Sequence, residues 1–232
     1  MNRTLKALSA LLSYPSTELQ AAADEIGAAI AGDPALPSEL RSGLAVLVTE
    51  LAEGDIYEIE ERYTAHFDRS RTLSLNLFEH VHGESRARGS AMVSLVETYR
   101  AAGFEPETSE LPDHLPVLLE FLAHRPEAEA KDVLGDAAHI LAALHERLKR
   151  RDSAYAWVFA ALLRLSGAKA DAAAVAALLE APDDDPDDLE ALDAVWEESQ
   201  VTFGPDPNAG CPAGRDMLNR MAVPVTPATA AE

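Results

Sequence analysis

Apolar residues recur along this chain at intervals of three and four, the spacing that gathers side chains on one face of an α-helix. Leu5, Leu8, Leu11 and Leu12 form the first stripe, which has to stop before Pro15 because a proline ring cannot enter a helix interior. Ser16 can cap a second helix carrying Leu19, Ala23, Ile26 and Ile30, closed by Gly32-Asp33-Pro34. Ser38 opens a third, with Leu40, Leu44, Leu47, Val48 and Leu51 facing inward and Gly54 at its end. Asp55 caps a fourth, in which Ile56, Ile59, Tyr63 and Phe67 keep the helical spacing.

Residues 69–84 break the period. Leu73, Leu75 and Leu77 alternate with polar residues, a strand pattern, but no partner strand exists in the sequence, so an extended loop across the helices is expected. Ser85 can cap the next helix, with Met92, Leu95, Val96 and Tyr99 inside and Gly103 after it. A further helix runs from Asp113 to about His124, with Pro116 tolerated in its first turn. The following stripe, Ala130, Val133, Leu134, Ala137, Leu141, Leu144 and Leu148, predicts one helix, ending in Arg147 and Lys149 to Arg151 where the dipole favours cations. Tyr155 to Leu165 is apolar nearly all round, as a central buried helix would be.

After Gly167 an alanine-rich helix (171–180) leads into the acidic run 183–188, a short segment around Leu192, Val195 and Trp196, and a Pro- and Gly-bearing stretch from Phe203. The predicted fold is all-α: a single-domain bundle of about eight helices. Residues 1–166 form its core, 167–202 add helices with an acidic linker, and 203–232 form an irregular tail.

Composition narrows the function classes. Acidic residues outnumber basic ones by 40 to 19, a net charge of −21, which argues against nucleic acid and anionic membrane surfaces as partners. The single cysteine, Cys211, cannot form an internal disulfide or a multi-thiolate zinc site, and both facts suit a reducing cytoplasm. No apolar run reaches the roughly 20 residues of a spanning helix, so no membrane insertion is expected, and no export signal is visible at Met1-Asn-Arg-Thr-Leu-Lys.

Catalytic and cofactor signatures are missing: there is no GxGxxG, no phosphate loop, no nucleophile elbow and no HExxH, and no cofactor is expected. The run from Asp183 fails as a calcium loop, with Asp188 where glycine is needed and Ala194 where glutamate is needed. His80, His82 and Glu84 could ligate a metal, and with His114 would suit a metal-dependent hydrolase, but too few donors lie together. Arg69, Arg71, Arg86 and Arg88 make a basic patch in an acidic chain. Arg86 and Arg88 stand in the first turn of a helix, where the dipole disfavours cations; either they serve a binding site or they pair with acidic neighbours. Asp113 can cap its helix while orienting His114 and raising the imidazole's proton affinity, half of a triad without a marked nucleophile.

The run from Tyr63 to Gly89 (YTAHFDRSRTLSLNLFEHVHGESRARG), with Leu111-Pro-Asp-His-Leu-Pro116 and Leu119-Glu-Phe121 after it, closely resembles the nitrate reductase molybdenum cofactor assembly chaperones. These are the NarJ branch of the redox-enzyme maturation family, which also includes TorD and DmsD. The resemblance covers residues 1–165, with a weaker echo in Trp196 and Val201-Thr-Phe-Gly204. It implies a TorD/NarJ-like helical fold, no catalytic activity, and a cytoplasmic chaperone core holding a peptide groove. The implied partner is the N-terminal segment of the nitrate reductase catalytic subunit, kept competent for cofactor insertion, with molybdenum cofactor delivery proteins as further candidates. Another molybdoenzyme of the dimethyl sulfoxide or trimethylamine oxide reductase type is the alternative client. The implied groove residues are Tyr63, Phe67, Leu75, Leu77, Phe78, His80, His82, Arg86, Arg88, Asp113, His114 and Leu118. The apolar members, with Leu73, would grip the client, and an acidic surface would attract a basic segment. His66 departs from the family, whose members more often carry an apolar residue before Phe67.

Overall fold

Side-chain caps and helix breakers divide the chain much as its pattern predicts. The structure, a computed structural model, describes residues 1–82, 86–106 and 109–182. Asn2 accepts the Leu5 N–H and opens α1 (Arg3–Leu11). Ser16 accepts the Leu19 N–H at 3.2 Å and opens α2 (Thr17–Ala21). The predicted second helix then splits at Ala22, whose ψ of 0° (φ −88°) opens the turn within the right-handed region, and α3 (Ala23–Ala31) packs on α1 and α4. α4 (Ser38–Glu53) turns Leu44, Leu47 and Leu51 inward. The Asp55 carboxylate accepts from the N–H groups of Tyr57 and Glu58 and starts α5 (Ile56–Phe67).

The expected extended loop at 69–84 is in large part helical. A 3-10 turn spans Arg71–Leu73, extended backbone continues to Asn76, and α6 (Leu77–His82) follows. Its start is fixed by a residue far along the chain, Asp113, so nothing in the local sequence announces it. The alternation itself had a cause: Leu73, Leu75 and Leu77 are all buried in the core. α7 (Arg86–Ala101) buries only Tyr99 of its expected inner face, with Met92, Leu95 and Val96 half-buried, and Gly103 (φ +72°) turns the chain after it. Ser85, the expected cap, lies outside the described residues.

α8 (Leu115–Ala123) packs along α1. The long stripe from Ala130 to Leu148 is two helices, α9 (Glu127–Asp136) and α10 (Ala138–Arg150), parted at Ala137 (φ −85°, ψ 0°). α11 (Ala156–Ser166) is the centre, with Val158, Phe159, Ala161 and Leu162 wholly inaccessible against α4, α9 and α10. Burying each large apolar side chain contributes about 1.5–3 kcal/mol, and Arg164 in the last turn is the exposed residue of this helix. Gly43 of α4 lies directly against the Trp157 ring, with no room for a side chain. Gly167 (φ +65°) ends α11 in the left-handed conformation that glycine allows. α12 (Ala172–Leu179), capped by Asp171, packs on α10, where buried Arg147 donates to the Leu178 and Ala181 carbonyls at 2.8 Å.

Among the described residues there are thus twelve α-helices, more than the eight expected, and the class is all-α. None is long and apolar enough to cross a membrane. The acidic run 183–188, the segment around Leu192 to Trp196 and the tail from Phe203 lie outside the described residues.

Candidate functional site

Two distant segments meet in one short antiparallel contact. The Leu115 N–H donates to the Leu75 carbonyl at 2.8 Å, the Leu77 N–H donates to the Asp113 carbonyl at 3.2 Å, and Asn76 pairs with His114 between them. The Tyr99 hydroxyl donates to the Pro112 carbonyl at 2.7 Å and fixes the second segment from behind. Extended backbone sends neighbouring side chains to opposite sides, so Asp113 and His114 part company here.

Asp113 is 0% exposed, and its Oδ2 accepts the Phe78 N–H at 2.8 Å. It therefore caps α6 across 35 positions and does not cap the helix it precedes; α8 begins at His114 with no side-chain cap and with Pro116 in its first turn. Burial pushes the Asp113 pKa up, while the Phe78 N–H and Arg88 draw it back. No hydrogen bond joins Asp113 to His114, and the expected rise in the imidazole's proton affinity is reversed. Burial holds His114 below the usual histidine value, outweighing the pull of Glu110, Asp113 and Asp68.

On its own side, His114 lines a cleft of about 590 Å³. Ser9, Ser13 and Tyr14 at the end of α1 form one wall, and Tyr63 with Asp68 at the end of α5 form another. Phe104, Glu105, Pro106 and Glu110 rim it, and Pro116, Val117 and Glu120 of α8 complete it. Tyr63 is buried and anchored by donating its hydroxyl to the Leu12 carbonyl at 2.9 Å, and Tyr14, 53% exposed, stands edge-on to it at 5.5 Å. Asp68 is held above the usual aspartate value by burial first and by the Glu110 charge second. His114 Nδ1 is buried without a hydrogen-bond partner.

A second cleft of about 460 Å³ shares Asp68 with the first and lies among Phe67, Ser70, Arg71, Ser74, Asn76, Glu79, His80 and Arg88. His80 bonds the Ser74 carbonyl at 2.8 Å, and burial keeps its pKa low. Arg88 pairs with Glu79 at 2.9 Å, the acidic-neighbour reading of that arginine. Phe78 is half-buried, with its ring 5.7 Å from the His82 ring. The Arg86 side chain lies outside the described part of the structure.

The expected site residues thus divide by depth. Tyr63 and His114 reach the first cleft; Phe67, His80 and Arg88 reach the second. Leu75, Leu77 and Leu118 are buried in the core with Asp113, where they support the contact between the two segments and present no open surface. Glu105, Glu110, Tyr14 and Phe104 were not anticipated, and nothing in their local pattern marks them, while Glu120 lies in the Leu119-Glu-Phe121 motif but was not expected at the site; folding brings them together. His66 is half-buried, with its Nδ1 shielded from solvent. It stacks edge-on against Tyr155 and Phe67, and burial, Arg151 and Arg62 lower its pKa to about 4.

The chain has recognisable relatives among known proteins. The sequence profile of the family described as "Nitrate reductase delta subunit" matches residues 33–161. The chain is 44% identical over 222 residues to the nitrate reductase molybdenum cofactor assembly chaperone NarJ of Escherichia coli K12, spanning 95% of this chain and 93% of that one. It is 38% identical over 89% of its length to the probable chaperone NarW of the same organism, covering 86% of that protein. With the probable NarJ of Bacillus subtilis it shares 32% identity over 69% of this chain and 86% of the other. Both segments that frame the clefts fall inside the matched region, and the chain belongs to the nitrate reductase delta subunit family, on the NarJ branch of assembly chaperones.

Proposed function

We propose that this chain is a nitrate reductase molybdenum cofactor assembly chaperone. It binds the N-terminal segment of the catalytic subunit in the cleft beside His114 and holds that subunit competent for cofactor insertion. It acts in the cytoplasm by binding alone and turns over no substrate. The observation that carries the reading is the 44% identity to a NarJ chaperone along nearly the whole of both chains. The geometry adds support: the two segments shared with the family converge on a concave, aromatic-walled surface of a size suited to a few side chains of another polypeptide.

The test is co-expression with the catalytic subunit of its nitrate reductase, once whole and once without its N-terminal segment. The intact subunit is expected to co-purify with this chain and the shortened one to be lost. Equal recovery of both would refute the proposed contact.

A further inference from the structure

Of the rings that meet beside the first cleft, one is left open to solvent. Tyr14, Tyr63, Phe67 and Tyr155 pack ring against ring at steep angles, with centroids 5.5 Å apart from Tyr14 to Tyr63 and 5.0 Å apart at the two later steps. Tyr63, Phe67 and Tyr155 are buried, whereas Tyr14 is 53% exposed on the cleft wall. The backbone under Tyr14 has little freedom. Leu12 receives the Tyr63 hydroxyl, Ser13 donates its own hydroxyl to the Ser9 carbonyl at 3.0 Å, and buried Pro15 restricts the residue before it to extended conformations. The α8 side of the cleft is tied to this segment, because the Ser9 hydroxyl donates to the Pro116 carbonyl at 2.7 Å. Pro116 has no N–H and its carbonyl is thereby taken, Val117 adds a hydrocarbon side chain, and Glu120 is engaged by Lys6 at 3.3 Å. Tyr14 and this wall offer another molecule rigid, apolar surface.

We infer that Tyr14 is the specificity-determining contact of the cleft, its ring packing against one large apolar side chain of the client segment, seated between Tyr14 and the Pro116–Val117 wall. The inference rests on the proposed function and names the residue that carries most of its binding. A tyrosine ring gives a large contact area at small conformational cost, and a ring already held in place gives up little freedom on binding. Aromatic residues of this kind dominate interfaces in which most other contacts are nearly neutral. Tyr63 is not a second grip, since it is buried and its hydroxyl is committed; it holds the Tyr14 ring in place.

The test uses calorimetry on the full chain with a synthetic peptide of the catalytic subunit's N-terminal segment. Tyr14→Ala is expected to weaken binding by roughly tenfold or more, and Tyr14→Phe, which keeps the ring, to bind as wild type does. Tyr57→Ala, which removes a ring 76% exposed but off the cleft, is expected to change nothing. Thermal unfolding of all three should stay near that of wild type, since neither tyrosine belongs to the buried core. Peptides with each residue in turn replaced by alanine locate the partner: one apolar replacement should weaken binding to wild type as Tyr14→Ala does, and have little further effect on Tyr14→Ala itself. Wild-type affinity in Tyr14→Ala, an equal loss in Tyr57→Ala or Tyr14→Phe, or a coupling carried by a basic residue of the peptide overturns the apolar contact and leaves the chaperone reading standing. Absence of any binding by the parent peptide to the unaltered chain overturns both. Self-association of wild type without peptide, abolished in Tyr14→Ala, would give the ring to a second copy of the chain and would likewise overturn the inference.

Discussion

Removing the Asp113 carboxylate tests the idea that this residue builds the site from beneath and does not touch the client. Asp113→Ala deletes the acceptor of the Phe78 N–H and leaves that donor at the start of α6 unpaired. A hydrogen bond to a charged group contributes about 1.5–3 kcal/mol, and loss of an N-cap to alanine typically costs about 0.5–2 kcal/mol. Against this stands relief from desolvation, since Asp113 is wholly buried and its Oδ1 has no partner. The net loss expected for alanine is about 1–2 kcal/mol, which at this chain length lowers Tm by roughly 2–8 °C. Asp113→Asn keeps an acceptor and sheds the charge, so it should fall near wild type. The sign with pH follows from the raised folded pKa: stability is fully present below the ordinary aspartate value and is lost as pH rises through the folded one, a loss absent from the asparagine variant. Hydrogen exchange read by mass spectrometry should show α6 deprotected in Asp113→Ala while α11 stays protected. Unchanged protection of α6, or an asparagine variant as damaged as the alanine one, would refute the capping argument.

Three further outcomes follow from particular contacts. Gly43→Ala drives a methyl into the Trp157 ring and should cost about 1–3 kcal/mol in urea unfolding, despite alanine's better helix propensity; a neutral result would mean the α4–α11 contact opens easily. His66 has its folded pKa lowered to about 4, so its contribution is present above the ordinary histidine value and is lost as pH falls through the folded one. His66→Leu should therefore gain Tm over wild type at pH 5 more than at pH 8, and equal differences at both would exclude protonation as the cause. Arg147→Met leaves the Leu178 and Ala181 carbonyls without their donor, so limited proteolysis should cut between α11 and α12 sooner than in wild type; an unaltered rate would show that packing on α10 alone holds α12.

Much of this architecture was legible in the sequence because it is locally determined. Ser16, Asp55 and Asp171 cap where their side chains and positions indicate, and α11 is as buried as its uniform apolar character implies. The misread elements depend on contacts between distant residues. The breaks at Ala22 and Ala137 occur in sequence that would continue a helix, and α6 forms under a cap 35 positions away. The same holds for the site. Tyr63 and His114 could be named from motifs, whereas Tyr14, Phe104 and the carboxylates around Asp68 become neighbours only after folding. Leu75, Leu77 and Leu118 sit beneath the site because the apolarity that marked them as grips also drives them into the core.

The central claim is that the cleft beside His114 receives the leading segment of the nitrate reductase catalytic subunit. It is tested most directly by titrating the isotope-labelled chain with a peptide of that segment and following backbone amide resonances. Saturable shifts concentrated at Tyr14, Tyr63, Asp68, Phe104 and His114 are the predicted result. Shifts confined to the α2–α3 face, or none at saturating peptide, would contradict it.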